Sequence, residues 1–338
     1  MPEVKILSQS DVMQVMEMQS VIECVENVYC QKCSGDTVVW PTTFYEFDPG
    51  YADMDIKSGY LRGAKLYGHK TVSWFSANKE RGLPDLTGII VVYSAENGMP
   101  IGMMDASYIT GVRTGAAGAI GAKYLARKNS KNLLVVGSGN QALFQIAAMR
   151  TVFPKLEKIT VANVRTPEHA EAFVQELPQK LETQFGIHVD GLTMTATGDL
   201  KSALSDADIV ITVTPSKEPL IKKEWVRPGT HFSCMGADMP GKQEVESAVL
   251  AGATIFVDDK EHCISSGEVE LPLKQGIISM KDISGEIGNL ILGKTPGRQS
   301  ESEITVYDST GMALLDIAAA KVALELAEQK GLGVTVKL

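Results

Sequence analysis

One stretch constrains this chain more than any other: Asn132-Leu133-Leu134-Val135-Val136-Gly137-Ser138-Gly139-Asn140-Gln141-Ala142. Its apolar, partly β-branched start reads as a buried strand, and residues 142–149 continue in a helical pattern. Between them lies a G-x-G-x-x-A turn. Gly137 suits a tight turn out of the strand, Gly139 lets the backbone approach a pyrophosphate, and Ala142 allows close helix–strand packing. Asn140 and Gln141 open the helix, whose free N–H groups and positive dipole end favour phosphate. A turn of this kind signals dinucleotide binding only between a strand and a helix, and both flanks fit.

Strand-like and helix-like segments alternate beyond the turn: 158–164, 167–185, 189–196, 200–205, 209–213, 231–235, 244–251 and 254–257. Alternation implies a parallel sheet with right-handed crossovers, and a ligand outside the carboxyl ends of the strands. At the end of the second strand, Ala162-Asn163-Val164-Arg165-Thr166 offers no carboxylate to a ribose hydroxyl. It offers an arginine that suits a 2′-phosphate. Asn163, Arg165 and Thr166 therefore join the coenzyme-binding candidates, and the expected coenzyme is NAD(P), with NADP(H) favoured.

Upstream, residues 10–29 carry apolar positions at helical spacing with Ser10-Asp11 as cap. Its methionines, Met13, Met16 and Met18, read as packing. Short β-like runs follow at 37–40, 61–66, 70–75 and 88–93, with a hairpin turn at 95–100, suggesting a mostly antiparallel sheet. Residues 110–125 form a small-residue helix with Arg113 near its start, where a cation opposes the helix dipole and so answers some other demand. A last amphipathic helix, 312–329, lies past the parallel-sheet segments and is expected to return to the first domain. The expected fold is α/β: a Rossmann-type parallel-sheet domain at 114–311 plus a smaller α+β domain at 1–113, with a mostly antiparallel sheet, completed by 312–338.

Composition narrows the partners. The 32 Lys and Arg against 41 Asp and Glu give a net charge of −9, which disfavours nucleic acid or an anionic membrane. The sequence starts Met1-Pro2-Glu3-Val4-Lys5, without a signal-peptide layout, and no apolar run reaches membrane-spanning length, so a cytoplasmic location is expected. Five cysteines are sparse and odd in number, and Cys30-Gln31-Lys32-Cys33 reads as two thiols near one another at a helix end. His69, His231 and His262 lack metal-ligand spacing, and no metal is expected.

Several passages in order resemble the ornithine cyclodeaminase/mu-crystallin family: 70–84, 110–125, 137–142, Gly236-Ala237-Asp238-Met239-Pro240-Gly241-Lys242-Gln243-Glu244, Ser266-Gly267-Glu268, and 297–311. The resemblance implies a homodimer formed through the N-terminal sheet domain, with an active site in the cleft between domains. It implies chemistry at the C–N bond of an α-amino acid through an imine. It makes Lys70 the active-site lysine, Arg113 the substrate-carboxylate arginine, and Asp238 the catalytic aspartate; an arginine fork and an ammonium suit an α-carboxylate, and a carboxylate can exchange a proton with nitrogen. Thr114 and Ser309 fall in matching passages and join the coenzyme-binding set. Two departures concern the substrate. Trp40-Pro41-Thr42-Thr43-Phe44 lacks the early carboxylate-binding arginine of the cyclodeaminases, with Lys57, Arg62 and Lys65 as the other cations of the region. Asp53 or Asp55 is only a loose counterpart of the acid that meets the side-chain amine. The leading expectation is conversion of L-ornithine to L-proline and ammonia. The alternatives are an NAD(P)H-dependent imine or ketimine reductase, an alanine-dehydrogenase-like enzyme acting on an amino, keto or imino acid, or a mu-crystallin-like NADPH-binding protein.

Overall fold

The computed structural model describes residues 3–338, which divide into two compact units: one formed by the chain up to Arg113 together with Met312–Leu338, the other by Thr114–Gly311. In chain order the first holds β1 (Glu3–Leu7), α1 (Gln9–Val15), α2 (Met18–Cys33), β2 (Thr37–Val39), β3 (Thr43–Asp48), β4 (Ala52–Leu61), β5 (Leu66–Phe75), β6 (Leu86–Ser94) and β7 (Pro100–Asp105). Helix α3 (Ser107–Leu125) carries the boundary between the units. The second unit follows with β8 (Asn132–Val136), α4 (Asn140–Val152), β9 (Lys158–Ala162), α5 (Pro167–Phe185), β10 (Thr193–Thr197), α6 (Leu200–Leu204), β11 (Ile209–Thr212) and β12 (His231–Cys234). It continues with α7 (Ser247–Leu250), β13 (Thr254–Val257), α8 (Lys260–Ser266), α9 (Glu270–Lys274), β14 (Ile283–Glu286), α10 (Ile287–Ile291) and β15 (Thr305–Asp308). The chain then returns to the first unit as α11 (Ala313–Gln329) and β16 (Val334–Lys337).

The first sheet runs β16-β1-β7-β6-β5-β4-β2, with β3 also on β4, and is antiparallel except where β1 meets β7. Its register explains how a helix seats on it. Gly59 lies opposite Gly68, Gly68 opposite Val92, and Val92 opposite Gly102, so one row crosses four strands with three residues lacking a side chain. Helix α11 fills that groove: a Cβ at Gly59 would come 2.8 Å from Leu314, and one at Gly102 would come 2.5 Å from Leu324. The alanines of α11 let its backbone approach closely, and Ala313, Ala319, Ala320, Ala323 and Ala327 are buried.

The second sheet is parallel throughout, ordered β10-β9-β8-β11-β12-β15-β13-β14. The chain leaves β8 for β9 on one side and returns to β11 on the other, which makes β8 the point where strand order reverses. Ligands of open parallel sheets bind there, outside the carboxyl ends.

Several local expectations are corrected. The helix expected at 10–29 is two helices, and the cap is Ser8, which forms a reciprocal capping box with Asp11. The run at 61–66 is the turn between β4 and β5, with Lys65 in the left-handed region at φ 52°, while β3 and most of β4 had no expected counterpart. Helix α3 begins at Ser107, so Arg113 sits two turns in and the dipole argument for its placement lapses. The C-terminal segment adds β16, paired antiparallel to β1.

Candidate active site

Lys70 and Arg113 meet on a third residue that the sequence did not single out. In the row beside the glycine groove, Lys70 on β5 lies opposite Lys57 on β4 and Ile90 on β6. There it reaches the first turn of α11. Lys70 Nζ donates to Asp316 Oδ1 at 3.1 Å and stands 3.1 Å from Oδ2, though without the geometry of a second hydrogen bond. It also donates to Thr110 Oγ1 at 3.4 Å, and Arg113 Nε donates to Asp316 Oδ1 at 3.0 Å. All three charged residues are buried, Asp316 completely.

Two cations thus share one carboxylate in a place with little water. Burial, then the Arg113 guanidinium, push the Lys70 ammonium down to about 8, although Asp316 pulls the other way. Burial alone would raise Asp316, but Arg113 and Lys70 outweigh it and hold its carboxyl below the ordinary value. Arg113 spends only Nε on the protein; among the described residues its Nη1 and Nη2 have no acceptor. The arrangement presents a forked donor with a fixed base and an ammonium beside it, which suits a planar carboxylate.

Asp53 shares the Lys70 face but lies opposite Trp74, two rows along, roughly 13 Å by strand rise. Asp55 is one row nearer and acts electrostatically on Lys70. His69 points to the other face and stacks on Tyr93 with ring centroids 6.0 Å apart. All of β3 is exposed, so the stretch without the early arginine runs into a strand at the surface.

The second unit carries the dinucleotide features. Gly137 has φ 113°, and a Cβ there would lie 2.8 Å from Val213 O. Gly139 caps α4 without any side-chain hydrogen bond, and a Cβ at Gly139 would meet nothing within 4 Å. No protein acceptor takes the N–H of Gly139, Asn140 or Gln141 among the described residues. Ala142 is fully buried beneath them. A cavity of about 240 Å³ opens here, lined by Gly137, Ser138 and Gly139, by Asn163, Arg165 and Thr166, and by the loop after β11 from Val213 to Ser216 with Leu220. Asn163 organises its rim: Nδ2 donates to Ser138 Oγ at 2.9 Å, and Oδ1 accepts Arg165 N at 3.2 Å and Thr166 N at 3.0 Å. Open N–H donors at a helix start, a close-approach glycine and a cavity at the switch point fit a dinucleotide.

Thr114 and Ser309 are both buried in this unit. The Thr114 carbonyl accepts Gln145 Nε2 at 2.9 Å, and Ser309 Oγ donates to Asp258 Oδ2 at 2.8 Å. Asp238 is exposed on the loop after β12, with Lys242 Nζ donating to its Oδ1 at 2.6 Å. Asp316 had a visible signal: it is the one charge in Met312-Ala313-Leu314-Leu315-Asp316-Ile317-Ala318-Ala319-Ala320. A charge amid such residues is buried, and a buried charge needs a partner.

Known proteins share this fold over nearly the whole chain. The profile of the ornithine cyclodeaminase/mu-crystallin family matches residues 3–331. An alanine dehydrogenase of Archaeoglobus fulgidus is 36% identical over 335 residues, covering 99% of this chain and 98% of that protein. Among solved structures, an archaeal alanine dehydrogenase dimer with bound NAD superposes with a TM-score of 0.90 at 36% identity, covering 100% of both chains. A Δ1-pyrroline-2-carboxylate reductase of Thermococcus litoralis, in complex with NADH and L-proline, gives 0.90 at 31% identity, covering 98% of this chain and 100% of that one. The chain belongs to the ornithine cyclodeaminase/mu-crystallin family.

Proposed function

We propose that this chain is a nicotinamide-dependent enzyme that interconverts an α-amino acid and its imine, as a dehydrogenase or imine reductase. The buried Lys70–Asp316–Arg113 cluster carries the reading, because a free guanidinium fork beside a low-pKa ammonium is built for an α-carboxylate. The α-carboxylate docks on Arg113 Nη1 and Nη2, while Asp316 keeps the fork from swinging. Lys70, still cationic near neutral pH, supplies the second contact. In the reductive direction a hydride adds to the imine carbon and a proton to nitrogen; in the oxidative direction both leave. The bound nicotinamide supplies or accepts the hydride. We assign the proton exchange at nitrogen to Asp238.

Residues 40–44 hold no cation, and the alanine dehydrogenase at 36% identity stands above an uncharacterised cyclodeaminase of Sinorhizobium fredii at 31%, so this reading is placed ahead of the cyclodeaminase. Cyclodeamination of L-ornithine stands second, favoured by Asp55 and Asp53 on the Lys70 face, where an acid can meet a side-chain amine. One assay separates the two. Purified protein is given NAD(P)H with Δ1-pyrroline-2-carboxylate, or with pyruvate and ammonia, and separately L-ornithine with catalytic NAD(P)+. Coenzyme oxidation in the first supports the reductase or dehydrogenase. Proline and ammonia from ornithine without net change in coenzyme supports the second reading. A protein that shifts NADPH fluorescence but turns over nothing would be the mu-crystallin-like binder.

Arg165 is our candidate for a 2′-phosphate, so NADP(H) is expected to be used alongside NAD(H). Arg165→Ala should weaken NADPH binding about tenfold, the loss of one charge-assisted contact, and NADH less than twofold. Equal effects on both coenzymes would remove Arg165 from that role.

A homodimer is also proposed, through the outer face of the first sheet. Tyr67 and Tyr93 stack there with centroids 5.0 Å apart, and Tyr45 and Ile89 are exposed on it. Apolar surface of this kind is normally covered. Analytical ultracentrifugation should give twice the chain mass, and Ile89→Arg should shift it toward monomer; a monomeric wild type would end the proposal.

A further inference from the structure

Three glutamates hold the Asp238 loop from beneath. Glu244 Oε1 accepts Thr214 N at 2.6 Å, and Oε2 accepts Gly236 N at 3.0 Å. Glu268 Oε1 accepts Glu244 N at 3.0 Å and Val245 N at 2.7 Å, with Oε2 sharing the Glu244 N–H at 3.1 Å. Glu270 Oε2 accepts Gly241 N at 2.7 Å. Backbone bonds close the same seam, Gln243 N to Ser216 O at 3.1 Å and Leu220 N to Glu244 O at 2.8 Å. Glu244 therefore sits at the joint between the Asp238 loop and the loop after β11, whose Thr214, Ser216 and Leu220 line the nucleotide cavity.

Glu244 and Glu268 are both fully buried and act on each other electrostatically. Two like charges so placed cannot both persist, and the hydrogen bonds decide which does. Each Glu244 oxygen faces an N–H donor, so a proton on either would displace a tie. Glu268 Oε1 alone accepts Val245 N and takes the closer share of the Glu244 N–H, so a proton on Oε2 gives up only the longer half of one shared bond. Asp308 behaves similarly: Oδ2 accepts Val269 N at 3.1 Å, while buried Oδ1 has no partner. Burial pushes Glu244 up to about 7 and Asp308 up to about 8, and burial together with the charge of Glu244 pushes Glu268 well up. Cys234 at the end of β12 faces the same cluster and is raised by burial, and Asp258 acts on Asp308. None of these groups is a cation.

We propose that Glu268 stays protonated while Glu244 ionises, so that ionised Glu244 is a positioning residue that clamps the Asp238 loop to the coenzyme-binding loop and loosens it when protonated. The proposal rests on the coenzyme reading above. One proton taken from solvent sets an O–H against the N–H of Thr214 or Gly236 and gives up that tie.

The test is binding of NADH and NADPH, followed by coenzyme fluorescence between pH 6 and 9, on the full chain and two variants. Wild type should bind about tenfold more tightly above the Glu244 midpoint near pH 7 than below it. In E244Q the amide NH2 must face one of the two N–H donors, so binding should stay at the weak level at every pH. E268Q keeps Oε1 as acceptor and is neutral like the protonated acid, so it should retain wild-type affinity and midpoint. Identical substitutions at neighbouring glutamates thus give opposite results. If both variants behave alike, or the midpoint vanishes in E268Q, the clamp is overturned while the coenzyme reading stands. If wild type binds neither coenzyme at any pH, both fall. Should E244Q fail to fold, the wild-type midpoint and its retention in E268Q still decide the matter.

Discussion

Methionine in place of Lys70 is expected to cut turnover by about three orders of magnitude, roughly 4 kcal/mol of transition-state stabilisation, with coenzyme binding unchanged. Methionine fills most of the lysine's volume, so β5 and α11 can keep their packing. Asp316 retains Arg113 Nε at 3.0 Å and is not left unpaired. What disappears is the ammonium beside the Arg113 fork. The stability effect should run the other way, because a buried cation in competition with Arg113 is exchanged for an apolar side chain. Lys70 is lowered from 10.5 to about 8, so between those values the unfolded chain holds a proton that the folded chain has released. Stability of the wild type therefore rises with pH across that window, and the cost of keeping Lys70 charged, roughly 3 kcal/mol, is fully present below it. K70M should be the more stable protein at pH 7, with the difference shrinking toward pH 10 in urea unfolding. The wild-type KM for the amino or imino acid should climb above pH 8, where the ammonium is lost. A K70M enzyme with more than a tenth of wild-type turnover would show that the lysine only packs.

The parts of this molecule that were legible in sequence are those where one local pattern has one structural solution. Residues 132–142 could only be a buried strand, a glycine turn and a helix, and they are β8 and the start of α4. The parallel order of the second sheet followed from alternation, whereas β14, β15 and α8 to α10 had no expected counterpart, because the alternation of clear strand and helix patterns stops at 257. Glycines were read for turns, and Gly98, at φ 74° in the β6–β7 hairpin, obeys that logic. Gly59, Gly68 and Gly102 do not; they are spaced for a helix that arrives more than 200 residues later, a relation no local window contains. Asp316 left a local signal as a lone charge in an apolar helix, but its partners left none, for the same reason. Its partners are 203 and 246 residues away, and only the register that sets Lys70 beside the groove brings them together. Residues 266–268 served as a marker of resemblance, yet the role of Glu268 depends on which backbone N–H groups its oxygens meet.

Asparagine at position 316 should be the most destabilising single change in the first unit. Asp316→Asn removes the one carboxylate that Lys70 and Arg113 are bonded to and leaves two cations buried against a neutral amide. Breaking a buried ion pair from one side costs about 3–5 kcal/mol, since the surviving charge loses its partner but not its desolvation. Here two charges survive, and their mutual repulsion, already felt by Lys70, is no longer offset. A fall in Tm of roughly ten degrees follows for a unit of this size. In the proposed site Asp316 touches the two cations that are to hold the α-carboxylate, so the damage to catalysis should appear mainly as a raised KM, with the Arg113 fork free to turn. The decisive measurement is the double variant. K70M/D316N removes one of the stranded cations, so the stability gained from K70M should be larger in the D316N background than in the wild type by about 2 kcal/mol, a coupling that additivity forbids. If D316N unfolds at the wild-type temperature, or if the double variant is simply the sum of its parts, the three residues are neighbours without being an electrostatic unit, and the carboxylate site built on them loses its foundation.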